Sequence, residues 1–287
     1  MNCKLYPVLP PKIVAIAKDK GVTPTNAFAD PNLPGNNIPR YGQDLTFGVS
    51  RAAPQGQDVG KTEAVLKPKM EKLLTIFAAQ DKSGMAKRMF DRFLAKQPAV
   101  TYFDDAALNA AAAGHSNIKS FCAAALSAPG CEPNCHSQVT GKVRIHQALK
   151  QANWDIQKLI APTDLGVPAF NKGSKIWSTG DFANGLGLMI NGVQYVYVLA
   201  KHYHYDADQQ TYCICLQFRF YDVFGLDDVD LNDFGAKSDG VFHSAAAIGI
   251  TAWWQLQHQH AYVPLVTRIV LENTYEVPTG PDFPAGK

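Results

Sequence analysis

Three groups of side chains in this 287-residue chain have the types and spacing to do chemistry. The first is an acidic corner, FYDVFGLDDVDLNDFG (Phe220 to Gly235), which offers Asp222, Asp227 and Asp228 as general acids or bases. His202, His204 and His258 are the natural partners for them, because imidazole changes protonation near neutral pH. The second group lies on a predicted hairpin, where His202 and His204 share one strand face and Cys213 and Cys215 share a face of the partner strand. A one-residue change of register decides whether these four converge into a His/Cys site or the histidines face Ile214 and Leu216. The third is the loop GCEPNCH, in which Cys131, Cys135 and His136 have a spacing that zinc accepts for a first ligand pair. No second pair follows, so an ordinary loop is the stronger reading there.

Other patterns fall short of their motifs. Asp228, Asp230, Asn232 and Asp239 stand at the first, third, fifth and twelfth places of a calcium loop, but Asp233 occupies the place where the sharp turn needs glycine. The corner reads better as a helix start, with Asp227 as the cap and Asp228 and Asp230 in the first turn, where the helix dipole favours negative charge. GQDVGKT (Gly56 to Thr62) is one residue short of a phosphate-binding loop and reads as a turn into a helix beginning near Thr62. Cys122, on a helical stretch, reads as a small hydrophobe rather than a thiol nucleophile. No cofactor is expected.

The elements that must position these residues begin with Val193 to Asp230, two long strands joined by a polar turn. A Trp-rich helix, AAAIGITAWWQLQH, and a last half-buried strand, LVTRIVLENTYEV, follow. Asn191-Gly192 is a hairpin signal that pairs Gly187 to Ile190 with the start of the long strand. Upstream, the apolar spacing from Thr62 to Lys96 is helical with a break at Ser83-Gly84. Further helices start at Asp104 or Asp105, run over Asn117 to Leu126, and run from about Val143 to Ile160. Residues 1–60 are rich in Pro, Gly and Asn, with only LTFGVS (Leu45 to Ser50) hinting at a strand.

The expected fold is therefore α+β: an irregular N-terminal arm or packed layer (1–60), a helical middle layer (61–160), and a C-terminal antiparallel sheet with its Trp-rich helix (161–287). The last two form one cooperative unit. An arm of this kind motivates self-association, in which it reaches across to another copy.

At 46% hydrophobic the chain has the material for a substantial core. A net charge of +2, from 27 basic and 25 acidic residues, argues against nucleic acid as the main partner. There is no apolar run long enough for an integral membrane segment, and the N-terminus lacks the apolar core of a Sec signal. The protein is expected to be cytoplasmic in the producing cell, with its six cysteines reduced.

FYDVFGLDDVDL, GITAWWQLQH and YVPLVTRI, supported by MFDRFL and FDDAALNAAAAGH, resemble an uncharacterised bacterial family found beside type VI secretion components and sometimes fused to PAAR spike domains. The resemblance covers about two thirds of the chain; the segment before Thr62 lies outside it, and no PAAR-like domain is present. It implies a toxin-like effector exported without a signal peptide, with a secretion spike or an immunity protein as partner. It brings no catalytic residues. The alternative expectation is a non-enzymatic protein that assembles through its arm into a homo-oligomer, tube or filament.

Overall fold

The computed structural model describes residues 4–49, 61–127, 144–168, 183–190, 192–236 and 244–280. The chain enters as a strand, β1 (Tyr6–Lys18), which buries Val8, Val14, Ala15 and Ala17. The stretch expected to be an irregular arm thus contributes a full member of the main sheet. Pro7, Pro10 and Pro11 concealed it, since proline cannot donate to a ladder. The structure accommodates them by shifting the register between Pro7 and Lys12, as a bulge does.

Short strands β2 (Asn26–Ala27) and β3 (Arg40–Tyr41) pair with each other; a 3-10 turn, Gln43–Leu45, ends at the start of LTFGVS, and residues 46–49, where a strand had been hinted, form none. Helices α1 (Glu63–Phe77) and α2 (Met85–Leu94) follow, then strand β4 (Thr101–Phe103). Helix α3 (Ala106–Gly114) is capped by Asp105, whose side chain accepts from the amides of Ala107 and Leu108; α4 (Ser116–Leu126) succeeds it.

Helix α5 (Ile145–Gln151) stops well short of Ile160. Asn153 and Trp154 take left-handed backbone conformations, and the chain goes on through a 3-10 turn, Ile156–Lys158, to strand β5 (Thr163–Leu165). The break turns the Trp154 ring onto Tyr205 and Tyr212, at centroid distances of 5.9 and 5.5 Å. Stacking against the sheet outweighs the helical periodicity here.

Gly187 to Ile190 is not a strand: α6 (Leu186–Met189) is a single helical turn. Asn191 and the predicted strand KIWSTGDF up to Phe182 lie outside the described residues. Long strands β6 (Tyr195–Asp206) and β7 (Thr211–Phe224) form the expected hairpin. Helices α7 (Asp228–Phe234) and α8 (Ala245–Gln259) lead to strand β8 (Leu265–Pro278).

The class is α+β, as expected, built on a six-stranded sheet of order β4-β8-β7-β6-β1-β5. It is mixed rather than purely antiparallel, because the outer strands β4 and β5 run parallel to β8 and β1. Helices cover one face, meeting Val196, Val198, Phe218 and Phe220. Helices α1 and α8 pack closely at Gly249, where a Cβ would lie 2.7 Å from the Leu73 side chain. The other face, with Tyr195, Tyr197, Tyr221 and Val223, is covered by Leu33, Tyr41 and Leu45. No helix among the described residues is long and apolar enough to cross a membrane.

Asp30 ties that second layer down. Its buried carboxylate accepts from the Tyr221 hydroxyl at 2.7 Å and pairs with Arg219 at 3.0 Å and Arg268 at 2.9 Å. Burial alone would raise its pKa, but the Tyr221 hydroxyl, the Asn32 amide and the two guanidinium groups together hold it below the usual carboxylate range. The segment around Asp30 is therefore fastened to the sheet of its own chain.

A carboxylate-lined cavity as the candidate functional site

β7 carries its apolar side chains alternately, and Tyr212, Ile214, Leu216, Phe218, Phe220 and Phe224 all enter the helix-side core. Asp222 breaks this stripe. It is 5% exposed, and it opens into a cavity of about 510 Å³ at the end of the sheet where β7 leaves for α7. Asp44 reaches the cavity from the 3-10 turn, Asp230 and Asp233 from α7, and Asp19 from the end of β1. Phe77, Leu188, Met189, Ile250 and Trp253 supply apolar wall. Among the described residues no lysine, arginine or histidine lines it.

Each carboxyl has identifiable support. Gln194 donates from Nε2 to Oδ2 of Asp44 in a short hydrogen bond, while its Oε1 accepts from the Gly42 amide at 3.2 Å. Oδ1 of Asp44 is buried and has no hydrogen-bond partner among the described residues. The turn bearing Asp44 is fastened by Gln257 of α8, whose Nε2 donates to the carbonyls of Asp44, Thr46 and Leu226 at 2.8, 2.7 and 3.1 Å. The same residue accepts the Leu226 amide at 3.0 Å, so one side chain joins the two loops that flank the cavity. Asp230 belongs to a capping box: Asp227 accepts from the amides of Val229 and Asp230, and Asp230 accepts from the Asp227 amide.

Burial without a neutralising cation sets the protonation states. Desolvation is the largest cause at Asp222, raising its pKa well above the ordinary value, and the charges of Asp44, Asp230 and Asp19 push the same way. Asp44 is pushed up to about 7 by burial, against the Gln194 hydrogen bond and with the charges of Asp230 and Asp227 adding to the rise. Asp230 is pushed up to about 6, again chiefly by burial. Asp44 and Asp230 are thereby poised to exchange protons near neutral pH, and the environment of Asp222 favours its protonated form.

Of the residues singled out in the sequence, Asp222 lines this cavity. Asp227 is spent on capping α7, and Asp228 accepts the indole Nε1–H of Trp254 at 3.1 Å. His258 is buried against Trp254, at a centroid distance of 4.9 Å, with Nε2 donating to the Leu226 carbonyl at 2.7 Å. It shapes the loop behind the site and does not line the cavity. His202 and His204 sit seven or more residues along β6 from Tyr195, which pairs with Tyr221; at about 3.3 Å per residue that is roughly 20 Å from Asp222. The structure does not bring the hairpin histidines to the acidic corner.

The hairpin register does place His202 opposite Cys215 and His204 opposite Cys213. Even so, among the described residues no three His, Cys, Asp or Glu side chains gather closely enough to hold a metal ion. His204 instead meets the edge of Tyr6 at 5.0 Å. Cys213 is disulfide-bonded, so the expectation of reduced thiols holds for Cys122 and Cys215 but not for it. Burial pushes the Cys122 thiol up to about 12, which makes it a poor nucleophile. Cys131, Cys135, His136 and Asp239 lie outside the described residues, as do residues 56–60 of the phosphate-loop-like stretch. Helix α7 runs through the first seven places of the proposed calcium loop, and a helix cannot wrap an ion as that loop does.

Sequence reasoning missed Asp44, Asp230 as a site residue, and Gln194. Asp222 had a visible signal, a lone carboxylate in a period-two apolar stripe. Asp44 had none, because it stands in an irregular stretch that approaches β7 only through tertiary packing. Comparisons with protein-family models, with curated proteins and with solved structures find no match to this chain.

Proposed function

We propose that this chain is a secretion-linked, toxin-like effector that carries out acid–base hydrolysis in the carboxylate-lined cavity. The observation that carries the reading is the cavity itself, where Asp44, Asp222 and Asp230 line one space with no basic side chain among its described lining residues. Asp222, which burial keeps protonated, is the general acid. Asp44 or Asp230, titrating close to neutrality, takes a proton from water. The water oxygen bonds to the electrophilic centre of the substrate, the scissile bond breaks, and the departing atom receives the Asp222 proton. The motif resemblance supplies the biological setting, and the disulfide at Cys213 supports action in an oxidising compartment outside the producing cytoplasm.

The test is expression in a bacterial host with the protein directed either to the cytoplasm or to the periplasm, each as wild type and as Asp222→Asn. Growth arrest is expected in the periplasmic arm, and loss of the acid should lower the underlying rate at least about a hundredfold. Absence of toxicity in both compartments would overturn the effector reading.

A second reading, a non-enzymatic self-associating protein, is favoured by β8. Its stretch from Arg268 to Pro278 pairs with β7 on one side, while β4 covers only Leu265 to Thr267 on the other. Asn109 Oδ1 already takes the Val270 amide, and the edge from Leu271 onward, where no described strand pairs on that side, is able to add a strand from another copy.

A further inference from the structure

The described part of the cavity lining holds five aspartates, Asp19, Asp44, Asp222, Asp230 and Asp233, and no described lining residue carries the opposite charge. Asp222 is 5% exposed, and among the described residues only the Val223 backbone amide supports the charge of its carboxyl. Such a group is costly to bury unless a partner arrives from outside. A second acceptor, Oδ1 of Asp44, is likewise buried and without a partner among the described residues.

A metal ion is a poor match to this arrangement. Among the described residues no three such ligands converge on one point, so the carboxyls are distributed around the space rather than gathered at its centre. A distributed set of acceptors is matched by a cation that carries several N–H donors. The rest of the wall, Phe77, Leu188, Met189, Ile250 and Trp253, is apolar and suits a hydrocarbon stem.

We infer that the cavity binds a primary ammonium group on an apolar stem, with the ammonium held by Asp222, Asp44 and Asp230 and the stem lying against Ile250 and Trp253. This rests on the same cavity being the working site, and it names the chemical class of the molecule that site takes. Anionic molecules are excluded by the same charges. Binding is coupled to proton release, because an ammonium stabilises the ionised carboxylates. The charged groups facing the site are Asp19 after β1, Asp44 in the 3-10 turn, Asp222 on β7, and Asp227, Asp230 and Asp233 on α7, all of one sign.

Isothermal titration of the full-length protein with hexylamine at pH 6.5, in two buffers of different ionisation enthalpy, tests this directly. Hexanol and hexanoate serve as the neutral and anionic probes of equal length. Hexylamine is expected to bind at least about tenfold tighter than hexanol, with protons released on binding and no heat from hexanoate. Asp222→Asn should weaken hexylamine by about tenfold while leaving hexanol unchanged. If that variant does not fold, Asp230→Asn is used instead, since its amide oxygen can still accept the capping hydrogen bond. Equal binding of hexanol and hexylamine, failure of hexylamine to bind, or binding with no proton release would overturn the inference. Amine binding by a protein with no toxicity would overturn the effector reading alone, whereas toxicity with no preference for amines would overturn this inference alone.

Discussion

Asp222 carries both the proposed chemistry and a weakness of the fold. A carboxyl whose folded pKa is raised favours the native state only while protonated, so its contribution is complete below the unfolded pKa near 3.8 and is lost as pH rises through the folded pKa. Asp44 and Asp230 follow the same sign, over a window from about 4 to about 7. Asp222→Asn is therefore expected to raise Tm at pH 8 by several degrees and to leave it unchanged at pH 4, as read by scanning calorimetry, while abolishing activity. A fall in Tm at pH 8 would contradict the assignment of Asp222 as an uncompensated buried acid. Asp30 has the opposite sign, because its pKa is lowered. Asp30→Ala leaves Arg219 and Arg268 without their buried partner and should cost about 3 to 5 kcal/mol in urea denaturation, with the loss disappearing as pH falls below the carboxylate range.

At the scale of elements, the site depends on how two loops are held. Gln257 satisfies three carbonyls and one amide across them, so Gln257→Leu strands several buried polar groups. The expected result is a loss of about 2 to 4 kcal/mol by denaturant unfolding, together with faster amide exchange in residues 43–48. Unchanged exchange in that turn would mean that α8 does not fasten it. The cap of α7 is a milder case: Asp227→Ala should cost about 1 kcal/mol, and residual activity would separate it from Asp222→Asn. Helix α5 illustrates the limit of periodicity, since Trp154 stacks on Tyr205 and Tyr212 instead of continuing the helix that its spacing allows.

At the scale of the whole molecule, the mixed sheet brings residues far apart in sequence to one end: Asp19 and Asp44, Gln194, Asp222, and Asp230. Light scattering of the full-length protein at high concentration addresses the open edge of β8. A monodisperse monomer would remove the assembly reading, and a dimer broken by Thr274→Pro would support it, because proline in an edge strand blocks added pairing.

The sequence by itself determined the α+β class, the β6–β7 hairpin, a helix start at Asp104 or Asp105, the Asp227 cap and the Trp-rich helix. These rest on local rules: period-two and helical spacing, and short polar side chains at helix starts. The tertiary structure alone decided that Tyr6–Lys18 is a sheet strand despite its prolines, that 187–190 is a helical turn, and that the hairpin histidines stand apart from the acidic corner. It also decided the site. A carboxyl becomes a proton-holding group through burial and through the sign of its neighbours, and both come from segments that only the folded sheet brings together.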